Sequence, residues 1–300
     1  KILHLGGENK KKFNVYHIGK AGGGALQMRL HSGWWLRYNE CHPYPCGPET
    51  VADANLILIR DPVERAVSAF NWRTTVLCHP DGDKRTVHKE RATRHPDEYC
   101  KSDFPEEAHM LFHKYKSDIN ILAQALCSND KLVRNSAVKD LKSIHHIQFN
   151  LSEWLSKMNW KTASDRIFPI VLEHGYDLNE QIDETIELVQ RKIQLEDSIL
   201  FAKRRKRVFY KDCRVNDMEH VREKMAKKGG TLVHTGAKHN KKSLLPNAET
   251  CLAQYYIRDY LKILRLVDLC WTNNCRNALL SILHRRSKII GDHPELKPLF

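Results

Sequence analysis

The residues of this chain best suited to chemistry begin with Gly19-Lys20-Ala21-Gly22-Gly23-Gly24. Glycines let backbone N–H groups approach an anion closely, and Lys20 adds a point charge beside them. A helix expected to start directly after the glycines turns its positive end toward the same place. A nucleotide-triphosphate loop of the Walker type is excluded, because it needs a Gly where Asn14 stands and a Ser or Thr where Ala21 stands. The spacing also fails the Gly-x-Gly-x-x-Gly dinucleotide pattern. A second constellation, Arg60-Asp61-Pro62-Val63-Glu64-Arg65-Ala66-Val67-Ser68, sets an arginine at the end of an apolar run and a serine two helical turns further on.

These residues need elements to position them. Phe13 to Ile18 is a short alternating run rich in strand formers, stopped by Gly19. Asn55-Leu56-Ile57-Leu58-Ile59 is a continuous apolar run, as expected of a parallel strand buried on both faces. Asp61 then reads as an N-cap with Pro62 at the first helical position. A third strand is predicted at Ile167–Leu172, followed by a turn at His174-Gly175-Tyr176 and a helix capped by Asp177 and running to about Arg191. Between the second and third strands, residues 74–160 read as a mostly helical insertion over the sheet, with helices at Glu106–Cys127 and Lys131–His146. The tail reads as a long helix from Ala248 to Cys270 and a final one near Asn277–Ser287. Strands alternating with helices predict a three-layer α/β fold with a central parallel sheet flanked by helices. A chain of 300 residues fits one such domain, spanning residues 1–300.

The balance of 49 Lys+Arg against 36 Asp+Glu leaves a formal net charge of +13, which concentrates anions around the molecule. Nucleic acid, an anionic membrane surface, a sulfated or carboxylated glycan and a phosphorylated cofactor all suit that charge, as does a basic surface kept only for solubility. The composition, 41% hydrophobic and 28% charged, is that of a folded globular protein. No apolar run is long enough to span a membrane. The chain opens at Lys1 rather than Met, so a targeting or anchoring segment ahead of it is open, and membrane association is expected only through such a segment.

Together, "YHIGKAGGGAL" and "LILIRDPVERAVSAFNWR" resemble the sulfotransferases that use 3'-phosphoadenosine-5'-phosphosulfate (PAPS), in particular the branch of Golgi carbohydrate sulfotransferases and related algal and protist enzymes. Weaker echoes lie in "FPIVLEHGYDL", "HNKKS" and "AQYYIRDYLKIL", so the anchors span residues 13 to about 265, without the insertion. The resemblance implies a P-loop-like sulfotransferase fold and in-line sulfuryl transfer to an acceptor hydroxyl, releasing 3'-phosphoadenosine-5'-phosphate (PAP) and needing no metal. It implies that Lys20 holds the 5'-phosphosulfate and stabilises charge on the leaving oxygen. Ala21, Gly22, Gly23, Gly24 and Ala25 would frame the 5'-phosphate, and Arg60 and Ser68 the 3'-phosphate. His239, Asn240, Lys241, Lys242 and Ser243 match a late basic segment that closes over the cofactor. His42 stands where carbohydrate-modifying relatives carry a catalytic histidine and is the expected general base, with Glu40 as its rival. The pattern departs from the family at Gly24-Ala25, where a Ser or Thr is usual and a hydroxyl contact to phosphate is lost.

The acceptor is expected to be a hydroxyl-bearing molecule, an anionic glycan or a small natural product, and not a nucleic acid. Two other functions compete. A nucleotide kinase is disfavoured by the missing Walker serine. A noncatalytic polyanion binder on a decayed sulfotransferase fold suits the dense basic cluster Lys203–Arg207, but gives no reason to keep Lys20, Arg60 and Ser68 in register. Nine cysteines favour an oxidising compartment, the Golgi lumen or another secretory space, over the cytoplasm. Cys41/Cys46, Cys78/Cys100 and Cys270/Cys275 are spaced for local disulfides, with buried unpaired thiols as the alternative. No Cys-x-x-Cys pair points to zinc.

Overall fold

The computed structural model describes residues 13–23, 25–26, 38–42, 44–45, 52–76, 105–156, 158, 166–192 and 243–296. Within these residues the protein is α/β, with a four-stranded sheet in the order β2-β1-β3-β4. The strands are β1 (Phe13–Tyr16), β2 (Tyr38–Cys41), β3 (Ala54–Arg60) and β4 (Ile167–Leu172), and every neighbouring pair is parallel. β2 carries too little apolar sequence to be read as a strand beforehand. Pairing with β1 supplies the backbone partners that its composition does not advertise.

The register sets where the carboxyl ends of the strands lie. Tyr16, the last residue of β1, pairs with Cys41 on one side and Ile57 on the other. β3 therefore continues past the end of β1, and Leu58, Ile59 and Arg60 pair only with Ile170, Val171 and Leu172 of β4. β1 is also where the chain reverses its direction across the sheet, β2 lying to one side and β3 to the other. In open parallel sheets the crevice at such a reversal, beyond the carboxyl ends of the strands, is where ligands bind.

β3 is mostly apolar because it is covered on both faces, its first six residues being buried and its one buried polar side chain, Asn55, accepting from Asn14 of β1 at 3.1 Å. Pro169 is tolerated in β4 because it lies in an edge strand. Gln181 closes that edge, its side chain accepting from the Val171 amide at 3.1 Å and donating to the Val171 carbonyl at 2.9 Å, as a further strand would.

Helix α1 (Pro62–Val76) starts as its sequence predicts, with Asp61 Oδ1 accepting from the Val63 amide at 2.9 Å. The predicted helix over Glu106–Cys127 is instead broken. Its first part, α2 (Pro105–His109), passes into a π-helical turn at Met110–Lys114. Lys116 and Ser117 then take positive φ, and Asp118 caps α3 (Ile119–Leu126) through the Asn120 amide. Helix α4 (Lys131–Ser143) ends before the predicted His146, which has φ of 76°. The short α5 (Leu151–Trp154) follows. After β4, α6 (Leu178–Lys192) is capped by Asp177, whose Oδ1 accepts from the Asn179 amide at 2.7 Å.

The single long helix expected over Ala248–Cys270 is two, α7 (Pro246–Tyr255) and α8 (Ile257–Val267), divided at Tyr256. Tyr256 and Tyr260, four residues apart and so on one face, are both buried. The last predicted helix begins earlier, as α9 (Asn273–Arg285), capped by the Thr272 side chain, and α10 (Ser287–Ile290) completes the set.

The C-terminal helices are fastened to the β3–α1 turn by an ionic network centred on the buried Asp61. Asp61 is fully buried, and besides capping α1 it accepts from the Tyr260 hydroxyl at 2.9 Å and from Arg286 Nε at 2.8 Å. Arg285 bridges Glu64 at 2.6 Å and Glu173 at 2.5 Å, and Arg286 also pairs with Glu249. A disulfide joins Cys127 to Cys251, holding the insertion to α7, and a second joins Cys270 to Cys275 as the spacing predicts. Cys41 is disulfide-bonded as well, while Cys46, Cys78 and Cys100 lie outside the described residues. Among the described residues no helix is long and apolar enough to cross a membrane.

Candidate functional site

Because all four strands run the same way, the segments after them gather at one edge. The loop after β1 turns sharply. Lys20 has φ of 64° and Gly22 of 94°, and the Ala21 amide donates to the Ile18 carbonyl at 3.1 Å. The Ala25 and Leu26 amides then donate to the Gly22 carbonyl at 3.0 and 3.4 Å, which starts the helical turn predicted after the glycines. The Ala21 and Ala25 amides are thus spent in shaping the loop. Ala21 is wholly buried within the loop.

Arg60 overhangs the end of β1 and donates from Nη1 to the Lys20 carbonyl at 3.2 Å, so the two predicted motifs meet. Its Nε is buried with no hydrogen-bond partner, 3.5 Å from Glu64 in a long ion pair. Burial lowers the Arg60 pKa, and Glu64, Asp61 and Glu173 oppose that shift. A cation held this way is short of hydrogen-bond acceptors, a condition that an anion relieves. Ser68 is half-buried on α1, two turns beyond.

Two glycines in the loop are required by close approach. A β-carbon on Gly19 would lie 2.6 Å from the His146 Cβ and 2.7 Å from the His146 carbonyl oxygen. One on Gly23 would lie 1.8 Å from Cδ2 and Nε2 of His17. The loop is therefore embedded among histidines. His17 stacks on His42 with ring centroids 4.3 Å apart, and His42 lies 5.7 Å from the His146 ring. His146 packs against the edge of Trp72 at 4.8 Å, and the Lys20 ammonium sits over the same indole at 5.0 Å.

His42, just beyond β2, is oriented by a backbone acceptor, its Nδ1 lying 2.9 Å from the His17 carbonyl oxygen. A carbonyl only accepts, so Nδ1 carries the hydrogen and the lone pair of the neutral ring is left on Nε2. Glu40, the rival base, is engaged elsewhere, with Oε1 2.6 Å from His17 Nδ1.

The insertion supplies the other half of the site. Arg73 on α1 makes a two-pronged ion pair with Glu107 on α2, at 2.8 and 2.5 Å, and both partners are buried. Glu107 also accepts from the His145 amide at 3.2 Å, and Arg65 donates to the Phe149 carbonyl at 2.8 Å. Two arginines of one helix thus clamp the turn that carries His145 and His146. Burial, reinforced by the nearby His145, Lys20, His42 and Arg73, pulls the His146 pKa down to about 2. Burial and Arg73 lower His145 too. Neither His145, His146 nor Trp72 was singled out beforehand. The only sign in the sequence is the pair itself, since contact with Gly19 across more than a hundred residues leaves no local pattern.

Of the other predicted residues, Gly24, His239, Asn240, Lys241 and Lys242 lie outside the described residues. Ser243 is exposed, and its carbonyl accepts from Asn120 on α3 at 3.2 Å. Among the described residues no group of three or more His, Cys, Asp or Glu side chains is arranged to hold a metal. Comparisons of the chain with protein-family models, with curated proteins and with solved structures give no match.

Proposed function

We propose that this protein is a sulfotransferase that moves a sulfuryl group from PAPS to an acceptor hydroxyl, on a P-loop-like fold. The observation that carries this reading is the meeting of Arg60 with the Lys20 loop at the reversal point of a parallel sheet. The glycine loop, the Arg60 guanidinium that meets it and the ammonium of Lys20 suit a ligand with more than one anionic group. PAPS, when bound, supplies a sulfuryl group activated by a weakly basic phosphate leaving group.

Lys20 stabilises the negative charge that grows on the oxygen between phosphorus and sulfur as that bond breaks. Arg60, with Ser68, holds the 3'-phosphate. Gly22 and Gly23 offer backbone amides to the 5'-phosphate. His42 accepts the acceptor's hydroxyl proton at Nε2 while the acceptor oxygen bonds to sulfur. The His17 carbonyl keeps His42 in the tautomer this step requires.

Tyr44, 64% exposed and edge-on to Phe149 at 5.9 Å, stands two residues beyond His42. An exposed aromatic face beside the base suits the apolar face of a sugar ring, and the surrounding cations suit an anionic glycan. The disulfides fit a Golgi or other secretory lumen.

Calorimetric titration with PAP, with 5'-AMP as control, tests the reading. Micromolar binding that depends on the 3'-phosphate supports it. Absent or equal binding of the two nucleotides overturns it in favour of a noncatalytic polyanion binder.

A further inference from the structure

We infer that His17, paired with Glu40, is itself a ligand of the anion held by the glycine loop and takes up a proton when that anion arrives. The inference rests on the function proposed above and adds to it a role for a residue that the resemblance leaves unassigned.

The geometry is specific. Glu40 occupies Nδ1 of His17 at 2.6 Å, so Nε2 is the nitrogen left for another partner. The Nε2 and Cδ2 edge of the ring lies against Gly23, where a β-carbon would come within 1.8 Å of both atoms. The ring thus reaches the backbone of the anion loop through the space that glycine leaves open. A carboxylate on one nitrogen and an anion on the other make a site for a doubly protonated imidazole, which donates at both ends.

The groups facing His17 are Glu40 from β2 and His42 from the segment after it, with His146 behind His42. Burial, helped by His42, favours the neutral ring, whereas Glu40 favours the charged one, and the balance lies below the usual histidine value. Without an anion His17 is therefore largely neutral at pH 7. A phosphate dianion within hydrogen-bond reach shifts the balance toward the imidazolium. The proton comes from solvent, and no covalent bond changes.

The test is calorimetric titration of PAP into the intact chain at pH 7, in buffers of different ionisation enthalpy, so that the slope of apparent enthalpy counts protons taken up. The phosphate of PAP titrates near pH 6 and contributes its own protons, so the signal is the difference between wild type and variant. Wild type is expected to take up up to about one proton more than His17→Gln, and His17→Gln to bind PAP about ten- to a hundredfold more weakly. His42→Gln is expected to keep the uptake, which separates the two stacked rings. Glu40→Gln leaves His17 in place, and is expected to reduce the uptake at pH 7 and move it to lower pH. It decides the matter if His17→Gln does not fold. Unchanged uptake in Glu40→Gln and in any folded His17→Gln overturns the role of His17 while leaving the sulfotransferase reading intact. Failure of wild type to bind PAP overturns both.

Discussion

Arg60 and Lys20, 40 residues apart in sequence, are joined by a 3.2 Å hydrogen bond from the guanidinium to the Lys20 carbonyl. The Arg60 side chain therefore acts on the backbone of the loop whose own lysine, in the proposed mechanism, stabilises the leaving-group charge. Lys20→Ala is expected to reduce sulfuryl transfer from PAPS to background while leaving the unfolding midpoint nearly unchanged. Arg60→Ala is expected to weaken PAP by roughly ten- to a hundredfold, the range of a lost hydrogen bond to a charged group. Because the two share the loop, their effects on PAP affinity are expected to fall short of additivity in a double-mutant cycle.

The tautomer of His42 predicts a different signature. His42→Ala is expected to lower turnover by roughly 10²–10⁴-fold, the usual weight of a positioned base, with PAP affinity little changed. Equal losses in turnover and PAP affinity would reassign His42 to cofactor binding.

Gly23 and His17 compete for the same space, so Gly23→Ala is expected to cost about 1–3 kcal/mol in urea unfolding through overpacking. Combining it with His17→Ala is expected to recover part of that loss. A double variant as unstable as the sum of the singles would show that the ring is not the obstacle.

Asp61 holds Tyr260 and Arg286 while capping α1, and all of these groups are buried. Asp61→Ala is expected to destabilise the fold by about 3–5 kcal/mol, because it leaves a buried guanidinium without its charge partner. Reduction of the Cys127–Cys251 bridge, which spans 124 residues, is expected to cost several kcal/mol more, up to about 5. Thermal melts of wild type against a Cys127→Ser/Cys251→Ser double variant measure that second effect, since dithiothreitol would also open Cys270–Cys275.

The buried histidines make the folded state less stable in acid. His146 falls to about 2 in the folded protein against 6.5 for the free side chain, so the unfolded chain binds more protons below pH 6.5. The contribution of neutral His146 is complete above about pH 6.5 and is lost as pH falls below it, at up to about 1.4 kcal/mol per pH unit. His17 and His145, shifted in the same direction, steepen the loss. Urea midpoints between pH 5 and 7.5 are expected to fall with acid, and less steeply in His146→Gln.

The local signals in this chain were strong where one segment sufficed to make them. The apolar run of β3, the Asp61 cap with Pro62 behind it, the Asp177 cap and the turn at Gly22 are properties of neighbouring residues, and each is legible in sequence because capping and burial act over a few positions. The Cys270–Cys275 bridge was legible for the same reason. β2 was not, since a strand of four residues draws its stability from β1 and not from its own composition.

Sequence by itself determined that a glycine loop with Lys20 and a strand-end arginine exist, in an order that resembles one enzyme family. Tertiary structure alone decided that the two meet, because the parallel register lets β3 overhang β1. It alone brought His145 and His146 from the insertion against Gly19, gave Glu40 to His17, and fixed the tautomer of His42. Those contacts join residues brought together by strand pairing and by buried arginine clamps. Long-range pairing of that kind leaves no trace in the spacing of residues along the chain.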